Sequence, residues 1–200
     1  MAASAFSASI VTYQPEPRLF GRALASLATA IVEARRRGVL QDAKVFVVDN
    51  GPLAARAAIE PAIAAWPAQA GTLELIAGQG NVGYGRANNL ALTRAESEFH
   101  LVMNPDVELE PAALAEALAA MAEHPEVGLV APAAYGDDGQ MQYLCKRYPS
   151  LWVLFLRGFA PAALRRRHAA ALDAYEMRDV IGDRFVSGVP LASEVANFVA

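Results

Sequence analysis

Near its middle the sequence reads Phe99-His100-Leu101-Val102-Met103-Asn104-Pro105-Asp106-Val107, an apolar run that ends abruptly in Asn-Pro-Asp. The first five residues predict a buried strand, and Glu108 and Glu110 extend the acidic patch that follows it. A strand that stops at a carboxylate fixes one negative charge at the edge of a sheet. Asn, Pro and Asp also favour turns, so the triplet alone is equally consistent with a simple turn. The other strand ends of the chain decide between these interpretations.

Composition restricts the class of protein. The chain has 200 residues, of which 54% are hydrophobic and 19% are charged, so it can bury the core of one domain and is too apolar to be disordered. Its net charge of -4 argues against a general nucleic-acid binder. The single cysteine, Cys145, excludes an internal disulfide and suits a reducing compartment. No activating residue near Cys145 in the sequence marks it as a nucleophile.

The sequence shows no targeting or membrane-spanning segment. The N-terminus lacks a basic region followed by an apolar core, so we expect no signal peptide. No apolar run reaches the length that crosses a bilayer. We therefore expect a cytoplasmic protein, either free or held peripherally at the inner face of the membrane.

Five predicted strands alternate with predicted helices. The strands are expected at residues 5–13, 44–48, 72–77, 99–103 and 127–131, and the helices at residues 18–37, 53–66, 86–96 and 111–123. Pro61 is a candidate interruption of the second helix. Short apolar strands separated by helices predict an α/β fold with a mostly parallel sheet that carries helices on both faces. This regular pattern ends near Pro132, so residues 1–132 form the predicted core and residues 133–200 a further segment of the same domain.

Polar residues follow four of these strands. In an open parallel sheet, ligands bind beyond the carboxyl ends of the strands. The residues at these ends are Thr12 and Tyr13, then Asp49 and Asn50, then Asn81, Arg86, Asn88 and Asn89, and finally Asn104 and Asp106. Each group alone is consistent with local capping or turn formation, but four groups along one edge favour a ligand-binding cleft.

The loop after the third strand contains Gly78, Gly80 and Gly83 at the spacing of a dinucleotide-binding fingerprint. That fingerprint normally follows the first strand and has an acidic residue on a strand about twenty positions later. Here it follows the third strand, and Asp106 lies in a turn, so a nicotinamide-dependent oxidoreductase rests on the glycine spacing alone. Glycines still let the backbone approach a phosphate, and a helix that starts near Arg86 offers amide hydrogens to an anion.

Three motifs follow one another along the chain. They are Val47-Val48-Asp49-Asn50, then Asn81-Val82-Gly83-Tyr84-Gly85-Arg86-Ala87-Asn88-Asn89, then Met103-Asn104-Pro105-Asp106-Val107. In this order they resemble glycosyltransferase family 2, and in particular its rhamnosyltransferase-like branch. Further matches at residues 124–128, 146–150 and 175–179 extend the similarity over residues 9 to 188. The resemblance implies a GT-A fold and a UDP- or dTDP-sugar donor, with rhamnose as one candidate sugar. It also implies a glycan or polyprenyl-linked acceptor, in cell-wall or polysaccharide biosynthesis.

The resemblance also assigns roles to individual residues. Donor binding falls on Thr12, Tyr13, Asp49, Asn81, Gly83, Arg86, Asn89 and Asn104, of which the first three would hold the nucleoside. Asn104-Pro105-Asp106 corresponds to the Asp-x-Asp motif of the family, so Asp106 would hold a divalent cation, Mn²⁺ or Mg²⁺, on the diphosphate. Both cations suit carboxylate and phosphate oxygens. Asn104 departs from the two-acid form and offers a weaker, uncharged ligand.

The catalytic base of the family has no counterpart in this sequence. An inverting transfer needs a carboxylate that takes the proton of the acceptor hydroxyl. In the family this base follows a serine-glycine pair that matches Ser187-Gly188, and Glu194 is the only carboxylate after that pair here. We do not assign the role to Glu194. The sequence therefore predicts a metal-assisted inverting transferase or, as the alternative, a truncated and catalytically inactive nucleotide-sugar-binding domain. Residues 133–200 would be a partial acceptor-side or membrane-proximal segment.

Two weaker signals remain open. The apolar run at residues 151–156 precedes Arg157 and the three arginines at 165–167. This pattern is equally consistent with a segment that lies at the membrane interface and with an apolar run that packs on the domain while the arginines are solvated. His100 lies within an apolar strand, and we expect a hydrogen-bonded core histidine there rather than a metal ligand.

Overall fold

The structure, a computed structural model, describes residues 4–136, 138–143, 146–179 and 181. The chain divides into two compact units, Met1–His124 and Pro125–Ala200. Cys145, Ser187, Gly188 and Glu194 lie outside the described residues.

Strands and helices alternate in the described part of the first unit. The elements are β1 (Ser4–Thr12), α1 (Pro17–Arg36), β2 (Leu40–Asp49), α2 (Glu60–Ala64), β3 (Thr72–Ala77), α3 (Tyr84–Leu92), β4 (Phe99–Met103) and α4 (Ala113–Glu123). The four strands form one parallel sheet in the order β3-β2-β1-β4. The predicted α/β fold with a mostly parallel sheet is therefore confirmed.

Both faces of the sheet are buried. Successive side chains of a strand point to opposite sides, so the residues of one strand pack into two separate clusters. In β2, Val45 and Val47 pack in the larger core cluster with α1 and α4, whereas Phe46 and Val48 pack in a second cluster with α3. Full burial of each of these side chains contributes about 1.5–3 kcal/mol. A slip of one residue would exchange the two sets, so the packing of β2 fixes its register.

Helix α1 shows how sequence signals set the ends of an element. The carboxylate of Glu16 accepts hydrogen bonds from the backbone N–H groups of Arg18 and Leu19, at 3.1 and 2.7 Å, and so caps the first turn. Arg35 and Arg36 lie in the last turn, where the helix dipole favours positive charge. Gly38 follows with φ +73°, a left-handed conformation typical of a glycine that ends a helix. The predicted helix at residues 18–37 is confirmed.

One predicted helix is divided and one predicted strand is wrong. Residues 53–66 form a 3₁₀ turn at Leu53–Ala58 and the short α2 instead of one helix, with the break next to Pro61, the candidate interruption. Pro61 has no N–H for a helix that continues from before it, but it fits the first turn of a new helix. Residues 127–131 form no strand, and Leu129 is 44% exposed. A β-branched composition does not make a strand where no partner strand pairs with it.

The described part of the second unit contains two short strands and three short helices. Its elements are β5 (Ala134–Tyr135), β6 (Met141–Gln142), α5 (Leu151–Gly158), α6 (Ala162–Arg167) and α7 (Ala169–Tyr175). The two short strands pair in antiparallel fashion. The hydroxyl of Ser150 accepts a hydrogen bond from the N–H of Val153 at 3.2 Å and caps α5. The apolar run after Ser150 is therefore a helix, and no described helix is long and apolar enough to cross a membrane.

His100 belongs to a buried polar network under α3. The Ser9 hydroxyl donates to Oδ1 of Asn88 at 2.7 Å, and Asn88 donates to the carbonyl of Tyr84 at 3.1 Å. Since the hydroxyl proton of Ser9 is used, Nε2 of His100 must donate to that hydroxyl, 2.9 Å away. Nδ1 then accepts from the Ser7 hydroxyl at 2.6 Å. His100 is thus the hydrogen-bonded core histidine that the sequence predicts, in its neutral form.

Gly71 follows a second 3₁₀ turn, Ala68–Ala70, and has φ +95°, in a region that only glycine adopts without strain. A Cβ at this position would overlap the carbonyl oxygen of Ala43. We expect Gly71→Ala to lower the free energy of unfolding by at least about 2 kcal/mol. Gly21→Ala, in α1 with open space around it, should raise the same quantity by about 0.5–1 kcal/mol. Urea unfolding measures both, and equal stabilities would contradict this account.

Burial lowers the pKa of His100 from its ordinary 6.5 to about 4. Between these two pH values the unfolded chain binds a proton that the native chain does not, so stability should fall as pH falls from 6.5 toward 4. His100→Gln cannot titrate and should show a flatter pH dependence of the urea midpoint in this window. All other titrating groups are common to both proteins. If the urea midpoints of the native protein and His100→Gln differ by the same amount at every pH in this window, His100 does not contribute to the pH dependence.

Candidate functional site

The carboxyl ends of the strands meet at one edge of the sheet in the first unit. The register places Thr12 beside Asp49 and Asp49 beside Ala77, and it pairs Ile10 with Met103. Strand β1 has β2 on one side and β4 on the other, so the chain order reverses between β1 and β4. Ligands in open α/β sheets bind at such a switch point, beyond the carboxyl ends of the strands.

Asn50 joins three segments at this edge. Its backbone N–H donates to the carbonyl of Thr12 at 2.9 Å, and its side-chain amide donates to the carbonyl of Gly83 at 3.3 Å. The amide of Gln79 donates both to Oδ1 of Asn50 at 3.3 Å and to the carbonyl of Asp49 at 2.9 Å. The sequence places Asn50 at a strand end but does not reveal this role, and it gives no signal for Gln79 beyond its place in the glycine loop.

Asp49 is almost fully buried, with 3% of its surface exposed. Its Oδ1 accepts a hydrogen bond from the N–H of Gly51 at 2.9 Å, and its Oδ2 lies 3.4 Å from Nε of Arg56. The N–H of Gly51 and the guanidinium of Arg56 stabilise the negative charge of the carboxylate, and its remaining lone pairs can accept further hydrogen bonds. Sequence reasoning missed Arg56 because its segment was predicted as part of a longer alanine-rich helix.

Thr12 lies beside Asp49 and is fully buried. Its hydroxyl oxygen has no hydrogen-bond partner among the described residues. An unpaired buried hydroxyl costs about 1–3 kcal/mol, so most proteins avoid one unless it has a function. Tyr13, the next residue, is 56% exposed. The two residues predicted from the end of β1 therefore present one unpaired hydroxyl and one accessible aromatic ring.

The glycine loop leads from β3 into α3. Gly78, Gly80 and Gly83 have φ values of +97°, +66° and +85°. Oδ1 of Asn81 accepts the N–H of Gly83 at 3.1 Å and shapes the loop, and no side chain caps α3. The helix starts at Tyr84, two residues before the predicted start. Because no side chain caps it, backbone N–H groups at this helix start can bind an anion.

The polar side chains of α3 separate into two groups. Arg86 is exposed and Asn89 is half-buried, so both are accessible near the loop. Asn88 is fully buried in the network with Ser9 and His100. Asn88 therefore serves the core rather than the edge of the sheet.

Tyr84 connects α3 to the turn after β4. Its hydroxyl donates to Oδ1 of Asn104 at 2.6 Å. Burial raises the pKa of Tyr84, and the negative charge of Asp106 raises it further, so the hydroxyl keeps its proton and remains a donor. Asn104 and Asp106 are exposed. Sequence reasoning missed Tyr84, because its partner is twenty residues away and the sequence does not show which helix faces the turn.

The oxygen donors at this edge fit a cation that arrives with a phosphate ligand. No group of three His, Cys, Asp or Glu side chains that could hold a metal occurs in the part of the chain that the structure describes. Mg²⁺ is usually held by one or two carboxylates together with substrate phosphates, rather than by a complete protein cage. The exposed carboxylate of Asp106 is consistent with this pattern. Its role as a metal ligand stays a prediction.

Comparison with known proteins found one family match and a similar solved structure. The sequence model of the family described as "Glycosyl transferase family 2" matches residues 7–176. The crystal structure of residues 1–349 of TarS from S. aureus is similar, with a TM-score of 0.47 and 19% sequence identity. The match covers 94% of this chain and 59% of that chain, so this chain spans 59% of the length of the solved structure. The comparison with curated proteins found no match.

The family match includes every motif from which the resemblance was inferred at the carboxyl ends of β2, β3 and β4. It also extends over most of the chain and into the second unit. The rhamnosyltransferase-like branch stays a prediction. The prediction of a GT-A domain is confirmed: the chain belongs to glycosyltransferase family 2.

Proposed function

We propose that this protein transfers a sugar, with inversion, from a nucleoside-diphosphate sugar to a glycan or polyprenyl-linked acceptor. The observation that carries the proposal is the meeting of Thr12, Asp49 and the Asn104–Asp106 turn at the switch edge of a family 2 domain. The donor side is assigned to residues 1–132. The rhamnosyltransferase-like motifs make dTDP-rhamnose the first donor to test, and a cytoplasmic location belongs to the same proposal.

The nucleoside would bind at the ends of β1 and β2. Uracil and thymine each present an imide N–H between two carbonyls, and ribose presents hydroxyls. The carboxylate of Asp49 can accept from the imide or from a hydroxyl, and the Thr12 hydroxyl can donate to a base carbonyl. The exposed ring of Tyr13 offers a face on which the base can stack. Uracil and thymine present the same imide and carbonyls to these residues, so the preference between UDP and dTDP must be measured.

The diphosphate would bind between the glycine loop and the turn after β4. The first turn of α3 offers backbone N–H groups, and Arg86 supplies a positive charge nearby in the sequence. Asp106 would hold Mn²⁺ or Mg²⁺, which when bound neutralises the charge that grows on the leaving diphosphate. Oδ1 of Asn104 already accepts from Tyr84, so we assign to Asn104 the positioning of the turn rather than metal binding.

Asp106→Asn tests the cation site while keeping the shape of the turn. We expect Mn²⁺ to tighten binding of UDP or dTDP to the native protein, and the variant to lose about tenfold or more of that affinity. Glu110→Gln removes a neighbouring exposed charge and should bind as the native protein does. Isothermal titration with and without Mn²⁺ measures this. An unchanged Mn²⁺ dependence in Asp106→Asn would show that Asp106 is not the ligand.

Thr12→Val tests the nucleoside site through two opposite effects. Valine has a similar shape and removes the unpaired buried hydroxyl, so the free protein should become more stable by about 1 kcal/mol. Affinity for UDP or dTDP should fall about five- to tenfold both with and without Mn²⁺, because the hydroxyl no longer meets the base. Thr29→Val, on the exposed surface of α1, is the control and should bind nucleotide normally. Native affinity in Thr12→Val would exclude Thr12 from the site.

A direct assay separates transfer from donor binding. The native protein is incubated with dTDP-rhamnose, Mn²⁺ and a polyprenyl-linked glycan, and both labelled product and free sugar are measured. Labelled product supports the proposed transferase. Tight donor binding without transfer or hydrolysis would instead support a nucleotide-sugar-binding domain that does not catalyse the reaction.

A further inference from the structure

Helix α5 exposes most of its apolar side chains. It buries Val153 and Leu156, which are 7% and 0% exposed, but its other face shows large apolar groups to solvent. Three aromatic rings form a row along this face, and the last of them, Phe159, directly follows the helix. Trp152 stacks on Phe155 with ring centres 5.4 Å apart, and Phe155 stacks on Phe159 at 6.4 Å. Soluble domains rarely expose contiguous apolar surface unless it binds something. We call these three side chains the aromatic row.

Helix α6 ends in three consecutive exposed arginines, Arg165, Arg166 and Arg167, which we call the arginine run. Among the described residues none of the three forms an ion pair. Other arginines of the same unit do: Arg147 lies 2.9 Å from Asp179, and Arg178 lies 2.8 Å from Glu176. Within the described residues, the arginine run therefore carries positive charge that no ion pair neutralises.

The aromatic row and the arginine run belong to one surface. His168 directly follows the arginine run, and its ring meets the ring of Trp152 edge-on, with centres 5.4 Å apart. The segment from residue 139 to residue 172 contains six basic residues and no Asp or Glu, although the whole chain has a net charge of -4. Apolar rings and uncompensated positive charge thus lie next to each other in an acidic protein.

We propose that this surface docks the protein on the face of an anionic lipid bilayer. Tryptophan and phenylalanine settle at the level of the lipid headgroups, and arginines bind lipid phosphates. The charge of the surface also selects against a second copy of this chain, because a two-fold contact would bring one arginine run against another. The proposal does not depend on the transferase activity, and nucleotide titration remains a separate measurement.

The full chain is mixed with vesicles of phosphatidylcholine alone and with vesicles that also contain phosphatidylglycerol, and bound protein is sedimented. We expect binding only to the anionic vesicles, and weaker binding as salt is added, because salt screens the attraction. Brominated lipid should quench tryptophan fluorescence. Trp152→Phe keeps an aromatic ring and removes the reporter, so it should bind but lose the quenching, since Trp66 is the other tryptophan.

Variants then separate the two parts of the surface. Replacing the arginine run with three glutamines should weaken binding to anionic vesicles by about tenfold or more. The matched control, Arg18→Gln with Arg22→Gln and Arg94→Gln, removes the same charge from the first unit and should bind more tightly than the first variant. Phe155→Ser with Phe159→Ser should reduce both binding and quenching.

Three results would overturn the proposal. The first is no binding to anionic vesicles, or equal binding to both kinds of vesicle. The second is equal loss of binding in the arginine-run variant and in its control, which would show a response to net charge alone. The third is a native dimer, seen by light scattering, that Phe155→Ser with Phe159→Ser makes monomeric without any vesicle binding by the native chain. That result would assign the surface to self-association.

Discussion

The hydrogen bonds of Asn50 hold the carboxyl edge of the sheet together. The residue is 3% exposed and bonds to the end of β1, to the glycine loop and to Gln79 within that loop. These bonds are made away from water, where each unpaired group would cost about 1–3 kcal/mol. The backbone N–H of Asn50 bonds to Thr12 at the end of β1, and its side-chain amide bonds to the carbonyl just before α3. Asn50, which directly follows Asp49, therefore links Thr12 and Asp49 to the start of α3.

Tyr84 extends the same constraint across the sheet. Asn50 holds the carbonyl of Gly83, and the next residue, Tyr84, reaches Asn104 beyond β4. The first turn of α3 therefore joins the end of β2 to the turn that contains Asp106. This contact gives a physical reason for an amide at position 104. The amide oxygen of Asn104 accepts the hydrogen bond of the Tyr84 hydroxyl and adds no second negative charge beside Asp106.

Local patterns were sufficient to predict most of the first unit. The apolar periodicity of α1 and the short buried strands define their own elements, and the strand ends alone locate Thr12, Asp49 and Asp106 at one edge. The failures at residues 53–66 and 127–131 arise where the outcome depends on a proline inside a helical pattern or on a partner strand. The contacts of Asn50 and Tyr84 depend on how separate elements are placed in register, and no local pattern contains that information.

Exposed aromatic rings coincide with unpaired polar groups in both units. In the first unit, exposed Tyr13 follows the unpaired hydroxyl of Thr12, although most apolar side chains around them are buried. In the second, the aromatic row adjoins the arginine run. A single exposed ring is common on folded proteins, but an unpaired buried hydroxyl and contiguous exposed rings are both uncommon and need an explanation. The two proposals give each place the same kind of explanation, because a ligand in contact with the rings would also supply a partner for the Thr12 hydroxyl in the first unit and a counter-charge for the arginine run in the second.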